Sequence, residues 1–144
     1  MNVRRFSAHV FALTTALVCL LAAVAVASAL KGASYKAKVT HSGGWNYAVT
    51  LRVASTGKVA SFSVQKPPIP CGVGVPLKAQ VTKPAPISSS GAYKNSIVYK
   101  YDPQPSIAIK VSIVGKFSGH TFKGTFKNET GGECDWSMPI SARS

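Results

Sequence analysis

The stretch Ile107–Phe126, IAIKVSIVGKFSGHTFKGTF, decides the fold. Ile107, Ile109, Val111 and Ile113 fall at every second position, with Lys110 and Ser112 between them. Ser118-Gly119-His120 interrupts the run, and Phe122 and Phe126 resume it around Gly124. Side chains of an extended chain alternate between two faces, so a period of two marks half-buried strands. A glycine-centred break between two such runs marks a β-hairpin.

The same period recurs toward the N-terminus. Tyr35, Ala37 and Val39 alternate with Lys36 and Lys38. Beyond the reversal His41-Ser42-Gly43-Gly44, Tyr47, Val49, Leu51 and Val53 alternate with Thr50 and Arg52. Paired glycines supply the positive φ that tight reversals need. Ser55-Thr56-Gly57 then turns the chain into Lys58–Val64, so three strands form a meander. Lys66–Pro76 reads as a loop or sheet edge, because Pro67, Pro68, Pro70 and Pro76 lack the amide donor of a ladder. Leu77–Val81 reads as a short strand and Pro84–Gly91 as a surface loop.

Toward the C-terminus, Tyr93–Tyr101 is strand-like in its β-branched and aromatic content, and Asp102-Pro103-Gln104-Pro105 is a turn. After the central hairpin come a polar loop, Asn128–Glu133, and a last strand with Cys134, Trp136, Met138 and Ile140 on one face. Asn128-Glu129-Thr130 also fits the N-glycosylation pattern, in that expected loop. No segment after residue 29 carries a helical period of ten residues or more. The expectation is all-β: a single small antiparallel barrel or sandwich of about eight strands.

The first 29 residues read differently. Arg4 and Arg5 precede the uncharged apolar run Val10–Val26, and Ala27-Ser28-Ala29 supplies small residues where a signal peptidase reads them. Residues 1–29 are therefore expected to be a signal-peptide helix and 30–144 a single secreted β domain, extracellular or in the cell envelope. No stable transmembrane segment would remain after cleavage. The competing reading is a retained anchor, for which 17 apolar residues lie at the short limit. Cys19 lies inside the leader, which leaves Cys71 and Cys134. An even cysteine count in an exported domain reads as a disulfide.

Removing Arg4 and Arg5 from the 17 basic residues leaves 15 against four acids, a net charge of +11. Such a charge attracts polyanions at long range and in a salt-dependent way.

Several of these pieces occur together elsewhere. Gly32–Tyr35, Cys71, the G-K-F-S-G-x-x-F-x-G-T-F hairpin at Gly115–Phe126 and the closing G-x-C-D strand at Gly132–Asp135 resemble those of short exported bacterial β-rich proteins of unknown function. The resemblance covers most of the chain after residue 29. It implies the fold and the Cys71–Cys134 bridge, and it brings no activity.

The residues that could carry chemistry are few. Asp102 stands in a proline-rich turn, and Glu129, Glu133 and Asp135 share one glycine-rich loop without the ligand alternation of a calcium site. No metal and no cofactor is expected. His41 and His120 are the minimum for a nuclease using two imidazoles, but both fall in turns with nothing to bring them together. No G-x-S-x-G elbow is present, so an enzyme is not the expectation.

Lys94 and Lys100 border Tyr93, Tyr99 and Tyr101, and Trp45 stands beside the Gly43-Gly44 turn. Basic and aromatic residues interleaved in this way suit an anionic cell-surface polymer or a glycan, the expected partner of a monomeric, non-enzymatic module. No signature of specific nucleic-acid recognition accompanies them. Two alternatives remain: a small nuclease-like hydrolase using the two histidines, and a protease-inhibitor-like domain presenting the Lys66–Pro76 loop.

Overall fold

The computed structural model describes residues 28–40, 46–65, 79–101, 104–132 and 134–144, with the side chains of 101 and 104–107 undescribed. Nine strands follow in chain order: β1 Ser34–Thr40, β2 Asn46–Val53, β3 Val59–Gln65, β4 Gln80–Val81, β5 Ala85–Pro86, β6 Ala92–Tyr101, β7 Gln104–Ser118, β8 Thr121–Glu129 and β9 Trp136–Arg143. Their order in the sheet is β4-β3-β2-β1-β9-β8-β7-β6, a nearly closed antiparallel barrel of eight strands. The ninth, β5, braces β3.

The central hairpin forms as its pattern predicts. Ser118 pairs with Thr121 across a two-residue reversal, and Gly119 takes φ 53°, the positive value that twist-compatible hairpin turns demand. Counting back from that turn pairs Phe117 with Phe122, Gly115 with Gly124 and Ile113 with Phe126. Every second residue therefore enters the barrel. Gly115 and Gly124 are needed where they face each other: a Cβ on Gly124 would lie 2.2 Å from the Val114 carbonyl oxygen. One on Gly115 would meet the Phe122 ring at 2.5 Å.

The interior is filled by the inward faces of all the long strands. Tyr35, Leu51, Phe62, Ile109, Ile113, Phe117, Phe122 and Phe126 are among its fully buried side chains. At the end where the β7–β8 turn lies, called here the hairpin end, aromatic rings interlock. Tyr35 meets Phe117 edge-on with centroids 5.0 Å apart, and Phe117 meets Phe122 at 4.8 Å. Each such pair adds about 0.5–1.5 kcal/mol beyond its buried area.

Within Pro84–Gly91, expected as a surface loop, Ala85–Ile87 span the seam between β3 and β6, while Ser88–Ser90 stay exposed. Ala60 pairs with Ala85 and Val59 with Pro86, while Ile87 bridges to Tyr93 on β6. A polar clasp secures this seam. Thr82 exchanges hydrogen bonds with the backbone of Phe62, and the Tyr93 hydroxyl donates to the Ala60 carbonyl at 3.0 Å. The Asn95 amide donates toward Thr82 Oγ1 and the Lys83 carbonyl. Buried polar groups are retained where they find partners, and here the partners join β3 to β6.

Three other boundaries differ from the sequence reading. Gln104 begins β7 rather than lying in a turn, and a register shift at Lys100/Tyr101 absorbs the irregularity. The last strand starts at Trp136 and runs on to Arg143. Asn128 belongs to β8, is 1% exposed, and donates from Nδ2 to the Cys134 carbonyl. Its glycosylation pattern is therefore turned into the barrel, not displayed on a loop. Of the expected signal-peptide helix at residues 1–29, residues 1–27 lie outside the described residues, as does Cys71, and Ser28 and Ala29 are not helical.

Candidate basic surface

Alternation that buries the apolar residues also dictates where the charges go. On β6, Tyr93 is buried and Tyr99 half-buried, while Lys94 and Lys100 are exposed on the outer wall. Tyr99 and Lys100, adjacent in sequence, thus point to opposite faces of the sheet. Trp45 and the Tyr101 side chain lie outside the described residues, as do His41, Asp102 and the Lys66–Pro76 loop.

Cross-strand register gathers a different set. Lys116 on β7 stands opposite Lys123 on β8. Lys94 on β6 faces Val114, the next outward residue of β7, so it is the diagonal neighbour of Lys116. Arg143 on β9 pairs with Thr121, diagonal to Lys123, and with Lys36 on β1. Arg52 on β2 pairs with Ser34, one outward position from Lys36. Directly opposite side chains start ~5 Å apart and diagonal ones ~7–8 Å apart. Lys94, Lys116, Lys123, Arg143, Lys36 and Arg52 therefore form a belt over six neighbouring strands, and all are exposed.

No acid interrupts the belt among the described residues. Glu129 sits toward the opposite end and pairs with Lys110 at 3.0 Å, the one ion pair among the described residues. Asp135 lies in the β8–β9 connection at that same far end. There the Thr130 backbone N–H and hydroxyl and the Gly131 N–H donate to its Oδ1 and hold its carboxyl below the usual carboxylate range. A shallow groove of about 390 Å³ adjoins the belt, lined by Pro86, Ile87, Lys94 and the exposed Val114.

The far end of the barrel holds the second aromatic group. Tyr47 stacks on Trp136 with centroids 5.7 Å apart and planes 18° from parallel, and Phe126 tilts against the same indole. Burial pushes the Tyr47 and Tyr99 phenols above their ordinary pKa, and for Tyr99 the proximity of Tyr47 adds to it. Phe126 and Tyr47 are buried, and Tyr99 and Trp136 half-buried against them, so these rings fill the barrel more than they present a stacking platform.

His120 is exposed at the hairpin end and its Nδ1 lies 3.1 Å from the Ser144 hydroxyl. Thr40, which precedes His41, ends β1 at the opposite end of the barrel. Among the described residues no group of three or more His, Cys, Asp or Glu gathers.

The sequence reading missed Lys36, Arg52, Lys116, Lys123 and Arg143, yet one signal was legible. A two-residue turn at Gly119-His120 pairs positions equidistant from it, which sets Lys116 against Lys123. The remaining members depend on β9 lying between β8 and β1, which no local pattern specifies. No protein-family model, curated protein or solved structure matches the chain.

Proposed function

We propose that this is an exported, monomeric, non-enzymatic β-barrel module that binds anionic cell-surface polymers through the belt from Lys94 to Arg52. The observation that carries the reading is the Lys116–Lys123 pair at the centre of six exposed cations with no acid among them in the described residues. Like charges directly opposite each other destabilise a sheet. A bound polyanion turns that repulsion into attraction and releases its own counterions, a gain available only from a ligand of many negative charges. A belt that follows the barrel wall offers successive contacts to a flexible chain.

A disulfide between Cys71 and Cys134 forms part of this proposal. Cys134 lies in the β8–β9 connection at the far end, and β3 delivers the chain toward Cys71 from Gln65 at that same end. Such a bridge is stable in the oxidising surroundings that an exported chain meets.

The test is retention of the purified protein on immobilised polyphosphate. Retention at low salt, lost as the Debye length falls below about 8 Å, is the expected result. A protein that flows through at low salt removes the reading.

A further inference from the structure

Residues 28–33 are stitched into the hairpin end of the barrel at several points. Ala29 is 5% exposed, belongs to the buried core and forms a parallel bridge with Gly119. The Gly119 N–H donates to the Ser28 carbonyl at 3.2 Å, and the Leu30 N–H donates to the Tyr35 hydroxyl at 2.8 Å. That hydroxyl in turn donates to the Gly119 carbonyl at 2.6 Å, and the Gly32 N–H donates to the Ala54 carbonyl at 3.1 Å. One short segment thus ties the β7–β8 turn to the β2–β3 turn and to the Tyr35 hydroxyl.

Two overlapping small-x-small patterns precede and enter this segment: Ala25-Val26-Ala27 and Ala27-Ser28-Ala29. Cutting after the second would discard Ala29 and with it the Gly119 bridge. It would also create an α-ammonium on Leu30, at the nitrogen that now sits part-buried against Tyr35. Moving a charge out of water beside a core aromatic is unfavourable unless it finds a partner. Cutting after the first pattern leaves the whole segment, and its new ammonium falls on Ser28, which is exposed.

We infer that the processing site is the Ala27–Ser28 bond, so that the folded domain is residues 28–144 and Ala29 is a core residue of it. The cleavage is a hydrolysis: water adds across that peptide bond, giving the Ala27 carboxylate and the Ser28 amine. Ala25 and Ala27 are then the small residues the peptidase reads, and Ser28 and Ala29 belong to the product. This inference rests on the reading of the chain as exported.

The experiment is expression of the full chain in a secreting bacterial host, followed by N-terminal sequencing and intact mass of the protein from the medium and from the cells. A first residue of Ser28 is expected. Exported protein beginning at Leu30, or at any other residue, overturns the processing site and leaves export standing. Full-length chain retained with the cells overturns both. The variant Ala25→Asp separates the two patterns independently of folding, because processing is read on the unfolded chain. It is expected to abolish cleavage at the Ala27–Ser28 bond, and unchanged cleavage at that bond contradicts the inference.

Discussion

Lys116 and Lys123 stand directly opposite each other on the outer wall of β7 and β8, two exposed cations in one cross-strand pair. Their inward neighbours, Phe117 and Phe122, are fully buried and in ring contact. The hairpin register that packs the phenylalanines inside therefore brings the lysines together outside. A one-residue slip would separate them and turn the phenylalanines to solvent.

Stability and binding are opposed at this pair. Lys116→Glu replaces a repulsive pair by an attractive one and is expected to raise stability by about 0.2–1 kcal/mol at low salt. The same substitution is expected to weaken retention on polyphosphate. Thermal melting at low and high salt checks the first effect, which is expected to fade as salt rises. A variant that is less stable and equally well retained contradicts the account on both counts.

The aromatic lining makes the fold sensitive to alkali. Burial holds the phenols of Tyr47, Tyr93 and Tyr99 above the ordinary value of 10.0, and for Tyr99 nearby Tyr47 adds to the effect. Above pH 10.0 the unfolded chain releases protons that the fold retains, so stability falls as pH rises. Melting temperature is expected to be steady below that pH and to drop above it, with a shallower drop in Tyr99→Phe. A melting temperature that stays level as pH rises above 10 is the opposing result.

Close approach of β7 and β8 at Gly115 and Gly124 predicts a positional difference between glycines. Gly115→Ala places a methyl group into the Phe122 ring and the Lys123 carbonyl, and overpacking of this kind costs about 1–3 kcal/mol. Gly132→Ala meets nothing within 4 Å and is expected to be neutral. Removing the ring itself, in Phe122→Ala, is expected to cost about 3–5 kcal/mol. Chemical denaturation of the three variants checks the order.

If Cys71 and Cys134 are joined, the bridge closes a loop of 63 residues. The chain-entropy model assigns such a loop roughly 4 kcal/mol. Reduction is expected to lower the denaturation midpoint markedly, and Cys71→Ser to reproduce the effect without reductant. Two alkylatable thiols in the unreduced, unfolded protein contradict the bridge.

Much of the barrel was legible in the chain because alternation and turn chemistry are local. Ile107–Phe126 and the described parts of Tyr35–Val64 carry both, and those parts fold as read. Pro84–Gly91 misled because prolines and serines signal a loop. Here two residues, Ala85 and Pro86, take a bracing position that only the closing of the barrel makes available. Asn128 misled for a related reason: its polar neighbours suggest a loop, whereas its own side chain lies inside, held by the Cys134 carbonyl. Lys94, Lys100 and Tyr99 look like one interleaved surface in sequence, but strand geometry sends the lysines outward and the phenol inward. The belt depends on strand order, so composition could announce the charge but not its arrangement.

The most direct test compares two variants of equal net charge. Lys116→Glu with Lys123→Glu reverses the centre of the belt, while Lys38→Glu with Lys100→Glu reverses two exposed lysines outside it. Affinity for polyphosphate is measured for both across a salt series. The account predicts that the belt variant loses at least tenfold more affinity and has the flatter dependence on salt. Equal losses in the two variants would contradict it, because net charge rather than the Lys116–Lys123 arrangement would then govern binding.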